Sequence, residues 1–305
     1  MSRRKKNRLL QRAEYIFYRA ITTLVTAAGE QRVYRWGGWF GAIAGKLLRG
    51  RDRLAMRNLR AAFPGRPEKE LRAILDECWR HFGRQLLMYV WIQRMSIDEI
   101  LERCDIINRH MLDESMARGS GTIVISAHFG SWEVGGLAIT SLAKNVHTVA
   151  RRLDNELLQE ELARLRASTG AVVVDRLHAA RPLMKALSEN GVVVMLPDQA
   201  VLPREGVLSL FLGRPAWTTP APAKMAEKRG ATIVFAFCIP QKTRHRLEFE
   251  EPIRVDQLTE EERDPVALTT RINDVISRRV VARPDLWLWM HDRWKGTGES
   301  EVTDG

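Results

Sequence analysis

Apolar positions recur at helical spacing through the first part of the chain. Residues 8–29, 33–48, 52–62 and 67–93 place hydrophobic side chains every three to four positions, the period of one buried helix face. Pro64-Gly65-Arg66-Pro67 breaks the pattern, and Pro67 suits the opening turn of the next helix. Near residue 120 the period changes. GTIVISA (121–127), VHTVA (146–150), AVVVD (171–175), GVVVML (191–196) and ATIVFAFCI (231–239) are short β-branched runs, and RLEFEEPI (246–253) reads as a last strand. Helical stretches at 132–143, 155–168, 179–189, 220–229 and 264–282 separate or follow them. Continuous apolar strands alternating with helices predict an α/β fold, a mostly parallel mixed sheet flanked by helices on both faces.

Composition refines this picture at the N-terminus. The chain of 305 residues carries 48 Lys plus Arg against 37 Asp plus Glu, a formal charge of +11. Such a balance favours a polyanionic partner, nucleic acid or an anionic bilayer. Met1-Ser2-Arg3-Arg4-Lys5-Lys6 is basic, and the apolar stretch after it lacks a small-residue cleavage site, so no cleavable signal peptide is expected. Arg19 interrupts the first apolar helix, and Glu30, Arg32 and Arg35 separate it from WGGWFGAIAG (36–45), which is too short to span. Basic charge, interrupted apolar helices and paired tryptophans fit an N-terminal helical membrane-associating extension, as an interfacial hairpin or weak anchor. An ordinary buried hairpin would give the same spacing. The domain reading is a basic helical anchor region at 1–48, a main domain at 49–295 (helical at 49–120, α/β at 121–295) and a polar tail at 296–305. Cys78, Cys104 and Cys238 are odd in number and widely spaced, as expected of reduced core thiols.

Ligands in such sheets bind beyond the carboxyl ends of the strands. SAHFGSWE (126–133) falls there. His128 follows a strand directly, Gly130 permits a tight turn, Ser131 can cap the next helix, and Glu133 lies five residues beyond His128. A carboxylate on one ring nitrogen fixes the tautomer and leaves the other nitrogen as a base, so the spacing makes His128 and Glu133 catalytic candidates. A satisfied histidine beside a capped helix would look alike. LPDQ (196–199) also follows an apolar strand; Asp198 and Gln199 either orient a substrate, support the site or mark a polar loop. Arg151 and Arg152 follow VHTVA and either grip phosphate or stand solvated. WLWMHDRWK (287–295) interleaves aromatic and basic residues, which suits nucleic acid, a headgroup-level anchor or the rim of a lipid pocket. The chain has no G-x-S-x-G elbow, Walker loop, H-E-x-x-H or G-x-G-x-x-G.

Taken in order, these pieces resemble the late acyltransferases of lipid A biosynthesis, a family similar to the glycerolipid acyltransferases with an H-x4-D/E motif. The resemblance rests on Arg57-Asn58-Leu59 with Phe63-Pro64, SAHFGSWE, ARRLDN (150–155), PDQ (197–199), FLGRPAWTT (211–219) and WMHDRWK (289–295), with Ser131 where the family commonly has Asn. It implies a membrane-surface O-acyltransferase with no cofactor or metal and no nucleic-acid partner. His128 would be the base and Glu133 its partner. Arg151, Arg152, Asp198, Gln199 and Arg293 would serve substrate binding. The donor would be an acyl thioester, from acyl carrier protein or coenzyme A, and the acceptor an anionic glycolipid at the cytoplasmic face of the inner membrane. A sister branch acylates phosphatidylinositol mannoside. A thioester hydrolase using water as acceptor would need the same pair.

Overall fold

The structure, a computed structural model, describes residues 8–150, 155–161 and 170–297. Four helices open the chain: α1 (Arg8–Ala27), α2 (Glu30–Leu47), α3 (Arg49–Ala62) and α4 (Glu68–Ile92). Short α5 (Ile97–Leu101) begins in a capping box between Ser96 and Glu99. A strand, β1 (Cys104–Ile107), and α6 (Arg109–Ala117) complete the first part.

The second part follows the predicted alternation. It contains β2 (Thr122–Ile125), α7 (Trp132–Leu142), β3 (Val146–Ala150), β4 (Val172–Asp175), a helix at Ala180–Ser188, β5 (Val192–Met195), a helix at Ala221–Arg229, β8 (Thr232–Gln241), β9 (Arg244–Arg254) and a helix at Pro265–Ala282. A separate hairpin, β6 (Val207–Phe211) and β7 (Arg214–Thr218), stands outside the main sheet. The main sheet is seven-stranded in the order β1-β9-β8-β2-β5-β3-β4. Strands β8, β2, β5, β3 and β4 are mutually parallel; β9 runs antiparallel to β8 and parallel to β1. The result is the mostly parallel mixed sheet that the apolar runs predict. Strand β1 is an addition, inside the stretch read as helical.

Alternate residues of each strand feed two cores. Ile123, Ile125, Val193 and Phe235 face a layer that includes α3, α4 and the C-terminal segment. Val124, Val192, Val194 and Val234 face a layer that includes α5, α6 and α7. Burying each such side chain contributes roughly 1.5–3 kcal/mol.

Helices α2 and α4 meet along glycines. A Cβ on Gly41 would fall 2.0 Å from the Trp79 carbonyl oxygen, and one on Gly83 would fall 2.2 Å from that of Gly37. Only hydrogen fits at either place. The glycines of WGGWFGAIAG thus face inward, while Trp36, Trp39 and Phe40 stay exposed at 39%, 71% and 47%. The segment is a packed hairpin on one side and an open aromatic face on the other. Helix α1 is tied back through Asn155, whose Nδ2 donates to the Gln11 carbonyl and to Glu14. No helix among the described residues is long and apolar enough to cross a membrane.

Candidate active site

Parallel pairing of β2 with β5 builds the site. Ile125 lies opposite Met195 in the register, and the Ser126 amide still donates to the Met195 carbonyl at 3.0 Å. Three residues beyond each register partner stand His128 and Asp198. The two chains leave the sheet side by side, so the side chains meet at its carboxyl edge. Asp198 Oδ1 lies 2.8 Å from His128 Nδ1, and Oδ2 accepts the His128 backbone N–H at 2.9 Å. Trp287 Nε1 donates to the same Oδ2 at 2.9 Å. Asp198 is 1% exposed, so each of these bonds matters to keeping its charge inside.

This pairing corrects the expectation that Glu133 holds the ring. Glu133 occupies the first turn of α7, where the helix dipole favours a carboxylate, and it is half-buried. Among the described residues it makes no hydrogen bond to His128; it acts on the ring through its charge. The neighbouring strand delivers the carboxylate that Nδ1 needs. Ser131 does not cap α7 with its side chain; its buried hydroxyl lacks a partner among the described residues, and its carbonyl accepts the Gly135 amide instead.

The turn carrying His128 is fixed on every side. Gly130 sits at φ 60°, and a Cβ there would lie 2.1 Å from the Cys238 carbonyl oxygen. Its amide donates to Leu286 and its carbonyl meets His81 Nε2 at 3.2 Å. His81 is buried on α4, and burial pushes it down to about 4, so it stays neutral and donates from Nε2. The Ser131 amide donates to Cys238, and the Leu288 amide to the His128 carbonyl.

The charge balance suits a base. Burial alone would lower the His128 pKa, but the Asp198 charge and hydrogen bond, helped by the Glu133 charge, outweigh it and raise the net value. Burial pushes Asp198 up, and the charge of His128, with the bonds from His128 and Trp287, more than reverses that. With Nδ1–H donated to Asp198, Nε2 is the ring nitrogen left to accept a proton. The His128 side chain is 23% exposed, and Trp132 packs 5.7 Å from it, ring centre to ring centre.

The tryptophans of the segment 287–295 point inside the protein, not outward as an anchor would. Trp287, Trp289 and Trp294 are at most 3% exposed. Arg293 has 0% exposure, so its guanidinium is used inside the protein rather than presented to a substrate as expected. It donates to the Trp217 carbonyl and to Thr218 Oγ1, and its guanidinium lies 4.6 Å over the Phe211 ring. Burial lowers its pKa to about 10. Asn58 of α3 donates to the carbonyls of Trp289 and His291, and Arg57 pairs with Asp292. His291 Nε2 in turn accepts the Ala200 amide, steadying the loop that bears Asp198 and Gln199. Gln199 is half-buried beside that loop. Arg151 and Arg152 lie outside the described residues.

The chain is similar to known proteins along most of its length. A family model described as "Bacterial lipid A biosynthesis acyltransferase" matches residues 1–296. A phosphatidylinositol mannoside acyltransferase of Mycobacterium tuberculosis (strain ATCC 25618 / H37Rv) is 28% identical over 72% of this chain and 68% of its own. A lipid A biosynthesis lauroyltransferase of Escherichia coli (strain K12) is 24% identical over 86% of this chain and 85% of its own. The crystal structure of the 1-acyl-sn-glycerophosphate (LPA) acyltransferase PlsC from Thermotoga maritima aligns over 83% of this chain and 96% of that one, with a TM-score of 0.38 and 14% identity. With a family match running over residues 1–296, the chain belongs to the bacterial lipid A biosynthesis acyltransferases and is an acyltransferase.

Proposed function

We propose that this acyltransferase moves a fatty acyl chain from a thioester, with acyl carrier protein as carrier, onto a hydroxyl of a lipid A precursor. The observation that carries the reading is the His128–Asp198 pair at the sheet's carboxyl edge, which holds Nδ1 at 2.8 Å and leaves Nε2 to act. The acceptor oxygen attacks the thioester carbonyl carbon while His128 Nε2 takes its proton. The carbon–sulfur bond then breaks, and the thiolate recovers that proton from the imidazolium. Asp198 and Glu133 stabilise the imidazolium by charge, so no acyl chain rests on the protein. Arg151, with Arg152, binds a phosphate of acceptor or carrier, and Gln199 lines the acceptor side.

The reaction sits at the cytoplasmic face of the inner membrane. Supporting this, α1 exposes Leu9, Ile16 and Phe17 at 72%, 66% and 67%, and α2 exposes its tryptophans beside them in the chain. Carbonate should release the protein from membranes.

A second reading has its own support. The phosphatidylinositol mannoside acyltransferase matches at 28%, against 24% for the lauroyltransferase. An acyl-coenzyme A donor and another glycolipid acceptor would use the same base. The purified enzyme should be given labelled acyl carrier protein or acyl-coenzyme A with each acceptor, and the lipids read by mass spectrometry. Acyl chain on the lipid A precursor supports the first reading. Release of free fatty acid with every acceptor would make the protein a hydrolase and end both readings.

A further inference from the structure

A second concave site lies in the helical layer, among α2, α3 and α4. Its volume is about 670 Å³, a size typical of small-ligand pockets. Trp79 lines it, and Gly45 leaves room for the indole, since a Cβ there would sit 2.8 Å from the ring. Both carboxylates in the cleft are already engaged. Asp52 takes two hydrogen bonds from Arg72 and one from Trp79 Nε1, and these hold its pKa down. Asp76 pairs with Arg72 as well.

Four further cations line the same volume: Lys46, Arg49, Arg53 and Arg80. None of them has an ion pair among the described residues. Arg49 and Arg53 are one turn apart on α3, and Arg49 stands in the uncapped first turn, where the helix dipole adds positive potential. An exposed surplus of guanidinium groups around a cleft matches a phosphate, which arginine binds in a bidentate manner. Between Lys46 and Arg49 in the chain, Leu47 and Leu48 are exposed at 74% and 51%. Cations flanking exposed leucines suit a phosphate that arrives attached to acyl chains.

We propose that this cleft binds the phosphate headgroup of an anionic bilayer lipid that is not itself a substrate, at a site separate from His128. The test reads binding, so it stands whether or not acyl transfer to lipid A is correct. Wild-type protein is titrated by calorimetry with dihexanoyl phosphatidic acid below its micelle concentration, and separately with inorganic phosphate. Saturable binding of one lipid, at least ten times tighter than phosphate, is expected. Arg49→Gln/Arg53→Gln should weaken it ~25-fold, from about fivefold per removed cation near an anionic surface. Arg181→Gln/Arg229→Gln, an equal charge change elsewhere, should alter it less than twofold. Lys46→Gln/Arg80→Gln removes the facing wall and should repeat the loss if the first variant misfolds. Equal loss in the control, phosphate binding as tight as lipid, or no saturable binding would each overturn the proposal.

Discussion

Asp198 holds His128 twice, through the backbone amide at 2.9 Å and through ring Nδ1 at 2.8 Å. One carboxylate thus sets both where the residue stands and which way its ring turns. Asp198→Asn should keep the backbone bond but lose the charge and scramble the tautomer. Steady-state assays should show kcat down by ~10²–10⁴-fold, close to the loss in His128→Ala. The double variant should lose little more than either single one, because the two act as a unit. Near-full activity in Asp198→Asn would remove it from the mechanism.

The raised His128 pKa has a kinetic signature. Only the neutral ring accepts a proton, so the acid limb of kcat/KM should lie above the ordinary histidine value. Glu133→Gln removes a nearby negative charge and should move that limb to lower pH. A pH–rate profile of both enzymes decides this; an unmoved limb would deny Glu133 its electrostatic role.

Stability should depend on pH through two other histidines. Burial holds both His81 and His245 down to about 4, against an ordinary 6.5. Between those values the unfolded chain binds protons that the folded chain refuses. Stability is therefore full above 6.5 and falls as pH drops towards 4, by about 3 kcal/mol for each residue. His128 has the opposite sign, since its folded value is raised: its contribution is lost as pH climbs through that value. Urea unfolding between pH 4 and 8 should show the fall, and His81→Gln should flatten part of it. A flat profile in the wild type would contradict the buried neutral assignment.

Much of this was legible in the sequence. The strand runs and helices after residue 120 appear nearly where the apolar pattern sets them, save that residues 162–168 of the helix expected at 155–168 lie outside the described residues; buried parallel strands are continuous in hydrophobicity. The hairpin β6–β7 was not legible. Its turn places Leu212 at φ 50° and Gly213 at φ 74°, and leucine gives no warning of a left-handed residue. Here the Leu212 amide bonds to Ser277 and the side chain packs on the core, so tertiary contacts fix the turn. Strand β1, Cys-Asp-Ile-Ile at the sheet's edge, lacks the continuous apolar run that marks the equally short β2 and β5. In the site, H-x4-E drew attention to Glu133 because both ends lie in one segment. Asp198 required the β2–β5 register, which no local pattern contains. His81 and Asn58 carry no motif chemistry of their own and show their use only once α3 and α4 are in place.

Gly130→Ala tests how tightly the turn is made. It would require an alanine at φ 60° with Cβ 2.1 Å from a carbonyl oxygen. Thermal melting should reveal a loss of at least ~2–3 kcal/mol, with activity lost in whatever protein folds. A variant with wild-type melting and rate would mean that the turn is looser than its contacts require.

Arg293→Met separates structure from binding. With Arg293 wholly buried among Trp217, Thr218 and Phe211, its loss should cost ~2–4 kcal/mol, seen as a lower melting temperature. KM of the protein that stays folded should be unchanged. A raised KM at unchanged melting temperature would return Arg293 to the substrate.

Within six residues, α4 touches four parts of the molecule. Cys78 Sγ reaches the Trp287 carbonyl, Trp79 lines the basic cleft, His81 bonds the Gly130 carbonyl, and Gly83 lies against the backbone of α2. A glycine seam has no compliant side chain to absorb displacement, so α4 works as a keel. Gly83 on the backbone of α2 and His81 on the Gly130 carbonyl place the outer hairpin and the histidine turn against the same short stretch of α4. The seating of the outer helices and the placing of the base thus rest on one element.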